Sequence, residues 1–276
     1  MASYSKSLKN FKAFALSNHL PSNFPIPDES VCLYITFLHN KGHPCSSISS
    51  SLSGINYYSK LAGFNDITSS FKAQQLIKSL KDLDSPDNRK PVTLTILTSI
   101  FYALHDLCTL YDCSLLRCAF LLAHTFALRL SEFSRSPHNL MFNQIVIEAD
   151  NLSIKFLHFK HKKSYGLTHM VSSKPGYDLC VVRTTRAYLA LRGVAPGPFF
   201  LRHGKALTPY FVNTKLKMAL SKCNIDPTNF SSHSLRIGAA SDWAEKGLSE
   251  SQMKARGRWS SNALHHYVRG TVDHSS

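Results

Sequence analysis

The stretch SLLRCAFLLAHTFAL, residues 114–128, constrains the fold more than any other part of the chain. Its apolar side chains would lie on nearly every side of an α-helix, and a helix of that kind is stable only when it is buried. The stretch is also too short to cross a bilayer, which requires about 18 or more consecutive apolar residues. The sequence therefore predicts a globular core built around a central helix over Ser114–Leu128.

Helical and strand-like patterns follow one another along the chain in a simple order. Helical spacing of apolar residues is found over 28–40, part of 42–54, 68–83 and 93–111. Strand-like patterns rich in β-branched and aromatic residues cover 144–148, 152–159 and 168–172. Helical patterns return over 179–192, 208–223, 232–246, 249–256 and 261–268. This order predicts a mainly α fold with a small antiparallel β-sheet, an α+β arrangement.

The segment DLDSPDNRKP, residues 82–91, has the composition of a linker. It is polar, contains two prolines and shows no apolar periodicity. We therefore predict a small helical domain over 1–84, a linker over 85–91 and a larger domain over 92–276.

Positive charge is concentrated in the second of these domains. The chain has 32 Lys and Arg against 17 Asp and Glu, a net charge of +15. Residues 89–276 contain 24 Lys and Arg against 11 Asp and Glu, which leaves +13 there and +2 before it. Such a footprint favours a polyanionic partner, with nucleic acid first. A solvated basic surface that only aids solubility is the alternative.

Other classes of protein are disfavoured by what the sequence lacks. It has no apolar run long enough to span a membrane, and no uninterrupted apolar region near the start that would indicate a secretory signal. The seven cysteines include no Cys-x-x-Cys pair, which favours reduced, intracellular thiols over a zinc site or a disulfide framework. There is no glycine-rich phosphate loop, HExxH or GxSxG motif. We expect no metal and no cofactor.

Residues with acid–base and anion-binding chemistry cluster near the C-terminus. His233 and Arg236 are three positions apart, so they lie on one face of a helix and can reach the same ligand. An arginine and a histidine together suit an anionic oxygen, by charge and by proton transfer. The turn Gly257-Arg258-Trp259 could fold Tyr267 back toward that face.

Five short motifs, in order, resemble those of the tyrosine recombinase (phage integrase) family. They read ALRLSE, FKHKKS, HSLR, GRW and HHYVR, and Gly257 precedes Tyr267 by ten residues as it does in the family. The wording HSLRIGAA and GRWSS looks most like the recombinases of eukaryotic mobile elements of DIRS or Crypton type. The helical N-terminal part is similar to the family's SAM-like core-binding domain, and 92–276 would be its catalytic domain.

The resemblance implies DNA cleavage and rejoining through a 3′-phosphotyrosyl intermediate. Tyr267 would be the nucleophile, Arg129 and Arg236 would hold the scissile phosphate, and His233 would support proton transfer. Lys160 would be the general acid, with Lys162 and Lys163 as rivals in the same turn.

Arg258 departs from the family pattern, because most members carry His or Trp at that position. We expect Arg258 to donate to the same phosphate, Trp259 to take over the packing role, and Glu132 to orient an arginine or a histidine.

The resemblance also implies a grip on double-stranded DNA. Candidate phosphate contacts are Arg89, Lys90, Lys162, Lys163, Lys215, Lys217 and Arg256. A homotetramer on two DNA sites would form, in the nucleus if the source is eukaryotic and in the cytoplasm otherwise. Two rival functions remain at this point: a domesticated, non-catalytic DNA-binding protein of the same fold, and a type IB topoisomerase-like enzyme.

Overall fold

A computed structural model of the protein describes residues 2–83, 87–157, 166–174, 176, 178–259, 264, 267 and 268. The chain divides into two compact units, Met1–Asp87 and Asn88–Ser276. In the described part, no helix is both long and apolar enough to cross a membrane.

The first unit is built from helices. They are α1 (Ala2–Ser17), α2 (Asp28–Asn40), α3 (Cys45–Leu61) and α4 (Phe71–Leu83). Phe11 of α1 packs edge-on against Tyr34 of α2, and both side chains are buried with Ile48 and Ile55 of α3. Sequence periodicity did not indicate α1, because few of its side chains are apolar and buried.

The second unit places the helix expected to be central in its middle. Its helices are α5 (Leu94–Leu107), α6 (Leu110–Thr125), α7 (Leu130–Phe133), α8 (Val181–Arg192), α9 (Pro209–Lys222), α10 (Ser232–Glu245) and α11 (Glu250–Gly257). Eleven of the sixteen residues of α6 are buried, and α5, α8 and α10 pack around it. The prediction of a buried central helix is confirmed.

The predicted boundary between the first two helices of this unit is wrong. A helix over 93–111 was expected, but α5 ends at Leu107 and Cys108 is extended. Thr109 then begins α6, because its side chain accepts a hydrogen bond from the backbone N–H of Asp112 at 3.2 Å. The capping threonine outweighs the apolar periodicity that continues through it.

A three-stranded antiparallel sheet lies on this helical core. Strands β1 (Ile145–Glu148), β2 (Asn151–Phe156) and β3 (Leu167–Ser172) pair in the order β1-β2-β3. Alternate residues of β2, Leu152, Ile154 and Phe156, are buried, as the period of a strand requires. A second hairpin, β4 (Leu201–Arg202) and β5 (Lys205–Ala206), is too short to leave a sequence pattern. The predicted fold class, mainly α with a small antiparallel sheet, is confirmed; the helix expected over 261–268 falls mostly outside the described residues.

Candidate active site

The first turn of α10 carries His233 and Arg236 and is fixed by close helix packing. At Gly238 an added Cβ would lie 2.0 Å from the carbonyl oxygen of Val92, so only glycine allows this approach. The backbone N–H of Val92 in turn donates to the carbonyl of Ser234 at 2.9 Å. This contact sets the position of the helix face that presents His233 and Arg236.

The turn after α6 supplies carbonyl oxygens to the site. Ala127 has a left-handed backbone (φ 45°), which reverses the chain before Arg129. The guanidinium of Arg236 donates to the carbonyl of Ala127 and, at 2.7 Å, to the carbonyl of Gly257. Arg236 is only 1% exposed, so these bonds partly compensate for its burial.

Glu132 is a buried carboxylate that binds two arginines. One oxygen, Oε2, accepts from the backbone N–H of Arg129 at 2.7 Å and from Nη2 of Arg258 at 2.8 Å. The other, Oε1, accepts from Nη1 of Arg129 at 3.4 Å. Glu132 therefore contacts Arg129 both at its backbone N–H and at its guanidinium.

Arg258 is placed differently from the expectation of a phosphate donor. It follows α11 in the left-handed conformation (φ 56°), and its side chain is fully buried in its ion pair with Glu132. Nη1 donates to the carbonyl of Phe126 at 3.0 Å, and the guanidinium stacks on Phe156, 3.9 Å from the ring centre. Its donors point into the protein, because the left-handed turn and the acidic partner draw the side chain inward.

Tyr267 lies against the face formed by His233 and Arg236. Its ring centre is 5.1 Å from that of His233 and 5.4 Å from Cζ of Arg236. Trp259 packs on both Tyr267 and Arg236, 5.1 Å from the ring of Tyr267 and 4.5 Å from Cζ of Arg236. The GRW turn thus brings Tyr267 back to the helix face of His233 and Arg236, although Tyr267 lies more than thirty positions after either of them in the sequence.

Trp259 shows why a glycine precedes this turn. A Cβ at position 257 would lie 2.0 Å from Cζ3 of the Trp259 indole, so any other residue would displace the ring. The indole is 8% exposed, and its buried Nε1–H has no hydrogen-bond partner in the described part of the chain. Trp259 is therefore a packed, largely buried ring, and its taking over the packing role of the family's usual residue stays a prediction.

The site carries more buried positive charge than it neutralises. Arg129, Arg236 and Arg258 lie around the carboxylate of Glu132, which in the described part of the chain is the one acidic group paired with this cluster. Burial, followed by the charges of Arg129 and Arg258, lowers the pKa of Arg236. Burial also lowers the pKa of Arg258, against the opposing effect of Glu132. An anion bound beside these guanidinium groups would relieve both costs.

The other predicted residues fall into two groups. Lys160, Lys162 and Lys163 lie outside the described residues; the segment that contains them follows Phe156, which stacks on Arg258. Lys90, Lys217 and Arg256 are exposed and Arg89 is half-buried, whereas Nζ of Lys215 donates to the carbonyl of Leu107 at 3.0 Å. The seven candidate DNA contacts, which do not include Lys160, stay predictions, and so does the role of Lys160 as the general acid.

Two residues of this region were missed by the sequence reasoning. Strand alternation indicates that Phe156 faces inward, but nothing in the sequence pairs it with Arg258. His169 of β3 lies edge-on to Phe156, with 5.7 Å between ring centres. Burial, with smaller effects from Arg258 and Arg256, lowers the pKa of His169 to about 4, so its imidazole is neutral at physiological pH. Among the described residues, no group of three His, Cys, Asp or Glu could hold a metal ion.

No protein-family model matches the sequence, and a search of curated proteins finds no match. Solved structures are similar in fold. XerH site-specific recombinase bound to a palindromic difH substrate matches with a TM-score of 0.68 at 12% identity, over 96% of this chain and 75% of that one. The Tn1549 transposon integrase with circular intermediate DNA matches with a TM-score of 0.60 at 14% identity, over 99% and 95%. A lambda integrase dimer bound to a core site matches with a TM-score of 0.58 at 16% identity, over 95% and 71%. The chain therefore has the fold of the tyrosine recombinases.

Proposed function

We propose that this protein is a site-specific DNA recombinase or integrase that cleaves and rejoins DNA strands through a 3′-phosphotyrosyl intermediate. The observation that carries the proposal is the buried arginine cluster with surplus positive charge, against which the ring of Tyr267 is packed. The solved proteins of similar fold are recombinases and integrases bound to DNA, which supports the same substrate here.

The reaction needs a site that stabilises added negative charge on phosphorus. Attack by the hydroxyl oxygen of Tyr267 forms a P–O bond to the tyrosine and breaks the bond to the 5′-oxygen of the next nucleotide. The non-bridging oxygens gain charge in the transition state, and preorganised guanidinium donors stabilise it. Arg129 and Arg236 fill this role, because both retain N–H groups beyond those used in their protein contacts. Rejoining is the reverse attack by a free 5′-hydroxyl, which conserves the bond energy.

His233 and Trp259 complete the surroundings of the nucleophile. The imidazole of His233 adjoins the ring of Tyr267 and would accept or return its proton. Trp259 packs on the ring of Tyr267 and on Arg236, and its indole N–H is buried without a partner in the described residues. Lys160 is proposed as the acid that protonates the leaving 5′-oxygen, on the strength of its place in the motif order.

DNA binding would use both units. The unit that contains α10 would be the catalytic domain, with linker residues Arg89 and Lys90 near the DNA backbone. Three exposed lysines of α1, Lys6, Lys9 and Lys12, recur every three residues and so share one helix face, which suits the core-binding role proposed for the first unit. A homotetramer on two DNA sites and a nuclear location in a eukaryotic host belong to the same proposal.

Covalent capture tests the proposal without knowledge of the target site. The protein is incubated with nicked duplexes that contain a random central segment, and DNA that remains attached in detergent is recovered and sequenced. We expect a selected sequence, attached through the peptide that contains Tyr267. Tyr267→Phe should form no adduct, whereas Tyr210→Phe, which alters a tyrosine that is 80% exposed on α9, should react normally.

Other results of the capture experiment would support one of the two alternative functions. DNA binding without an adduct would indicate a non-catalytic DNA-binding protein. Adducts on every sequence, together with relaxation of any supercoiled plasmid, would indicate a type IB topoisomerase.

Replacing the leaving 5′-oxygen by sulfur tests which of the three lysines is the general acid. A 5′-bridging phosphorothiolate releases a thiol, whose pKa of about 8.5 lets it depart without a proton. Lys160→Ala should be slow on ordinary DNA and close to wild type on the sulfur-containing DNA. Lys162→Ala and Lys163→Ala should differ little between the two substrates, and a sulfur rescue of either one instead would move the general acid to that position.

A further inference from the structure

We infer that Arg258 is a positioning residue, which holds Arg129 through Glu132 and does not contact the scissile phosphate. The inference rests on the proposed function and deepens it, because it reduces the phosphate clamp from three arginines to two.

The surroundings of Arg258 are closed on every side that the structure describes. Its side chain is 0% exposed, and Nη2 forms the ion pair with Glu132 at 2.8 Å. Nη1 donates to the carbonyl of Phe126, and the ring of Phe156 covers one face of the guanidinium. The remaining donor, Nε, is buried with no partner in the described residues. A phosphate oxygen could reach this group only if the ion pair and the stacking on Phe156 both opened.

Both ends of Arg258 are connected to Arg129. The backbone carbonyl of Arg258 accepts from Nη2 of Arg129 at 3.2 Å, while its side chain balances the charge of Glu132. Glu132 in turn binds the backbone N–H and Nη1 of Arg129. Without the Arg258 side chain, a buried carboxylate would lose its closest cation and draw more strongly on Arg129. The Arg129 guanidinium would then turn from the phosphate toward Glu132.

Exposure separates the two arginines in the same way. The side chain of Arg129 is 27% exposed, so it can meet a ligand from solvent, whereas that of Arg258 is not exposed at all. Arg236 is buried as well, and it is assigned to the phosphate because its Cζ lies 5.4 Å from the ring of Tyr267. With Arg258 paired to Glu132, the charges of Arg129 and Arg236 remain for the phosphate. A clamp of two arginines matches the two non-bridging oxygens of a phosphate diester.

A double-mutant cycle on bound DNA tests the inference. Single-turnover adduct formation is measured at saturating protein for wild type, Arg258→Met, Arg129→Met and the double variant, with DNA affinity measured separately. Because a misplaced catalytic group typically costs about a hundredfold, Arg258→Met should lower the rate by about that factor at nearly unchanged affinity. In the Arg129→Met background it should lower the rate by less than about threefold further. Two losses that multiply would overturn the inference, since an independent phosphate contact behaves that way.

Matched variants keep a folding defect apart from a loss of positioning. Arg183→Met removes an exposed arginine of α8 that is not among the candidate DNA contacts, and it should leave the bound-state rate unchanged. Arg258→Lys retains a cation for Glu132 and should recover most of the rate. If Arg258→Met does not fold, the Glu132→Gln/Arg258→Met variant removes both buried charges and replaces it in the cycle.

The guanidinium NMR signal of Arg129 provides a readout that needs no activity. In DNA-free protein, its Nε–Hε resonance should shift in Arg258→Met and stay in place in Arg183→Met. An unmoved signal in Arg258→Met would overturn the inference. Absence of an adduct with wild-type protein would instead overturn the proposed function and leave the NMR result to judge the role of Arg258.

Discussion

Arginine is buried in two regions of the second unit, in two different ways. Arg192, at the end of α8, is 9% exposed and stacks on Phe142, with its Cζ 4.5 Å from the ring centre. In the described part of the chain it has no carboxylate partner. Its N–H groups donate at 2.7 to 2.9 Å to the carbonyl oxygens of Gly193, Ala195, Pro198 and Phe199. One loop thus satisfies one cation.

The arginine cluster is not satisfied in this way. Arg129, Arg236 and Arg258 share one carboxylate and a few carbonyls, and their mutual repulsion adds to the cost of burial. A buried cation such as Arg192, which donates four hydrogen bonds to carbonyl oxygens near its own helix end, supports the fold. Buried cations that crowd around too few acceptors destabilise the free protein, and a bound anion offsets that cost. The comparison therefore separates structural from ligand-binding arginine by the balance of charge and acceptors, since both kinds are buried.

The largest expected effect follows from removing the cluster's most buried phosphate arginine. Arg236→Met should lower single-turnover adduct formation by about a thousandfold, because a lost transition-state donor costs about 10²–10³ and a charge is lost with it. The free energy of unfolding should change by less than about 2 kcal/mol, since relief of repulsion offsets the loss of two carbonyl contacts. Rapid-quench assays and urea titrations measure the two quantities. A variant that reacts normally would remove Arg236 from the phosphate site.

The opposite result is expected at Arg192. Arg192→Met should lower the free energy of unfolding by about 3 kcal/mol, because four carbonyl oxygens lose a charged donor. The adduct rate per folded molecule should stay within about twofold, since no contact between described residues joins Arg192 to the cluster. Arg183→Met, an exposed arginine on the same helix, is the matched control and should be nearly neutral. A large loss of adduct rate in folded Arg192→Met would contradict the distinction between a structural arginine and the arginines of the ligand site.

The sequence predicted those parts of the fold that depend on local patterns. The apolar stretch 114–128 correctly indicated a buried central helix, and alternation indicated the inward face of β2. A helix over 232–246 was predicted from its pattern, and the i, i+3 spacing of His233 and Arg236 then placed both residues on one face of it. These elements could be predicted because the periods of helices and strands repeat within a few residues.

The hydrogen-bond acceptors of the site's arginines could not be predicted from the sequence. The acceptors of Arg236 are the backbone carbonyls of Ala127 and Gly257, and a carbonyl leaves no residue-specific signal. Arg258 was expected to meet the phosphate because of its motif position. Its direction is instead set by a left-handed backbone and by Glu132, which is 126 residues away in the chain. Motif order identifies which residues gather, whereas backbone conformation and distant partners decide where each side chain points.

A simple anion provides the smallest and most direct test of the comparison. Sulfate shares the tetrahedral shape of a phosphate diester and carries one more negative charge, and the 27% exposed Arg129 gives it access to the cluster. At about ten times its dissociation constant, sulfate should raise the free energy of unfolding of wild-type protein by about 1.4 kcal/mol over chloride of equal ionic strength. Arg192→Met should show the same increment on its lower baseline, because its loop offers no anion site. Arg236→Met should lose most of it. Since sulfate also stabilises proteins generally, by exclusion from their surface, the difference between variants is the informative quantity. An identical increment in all three proteins would mean that the cluster binds no anion, and surplus buried charge would then not distinguish it from Arg192.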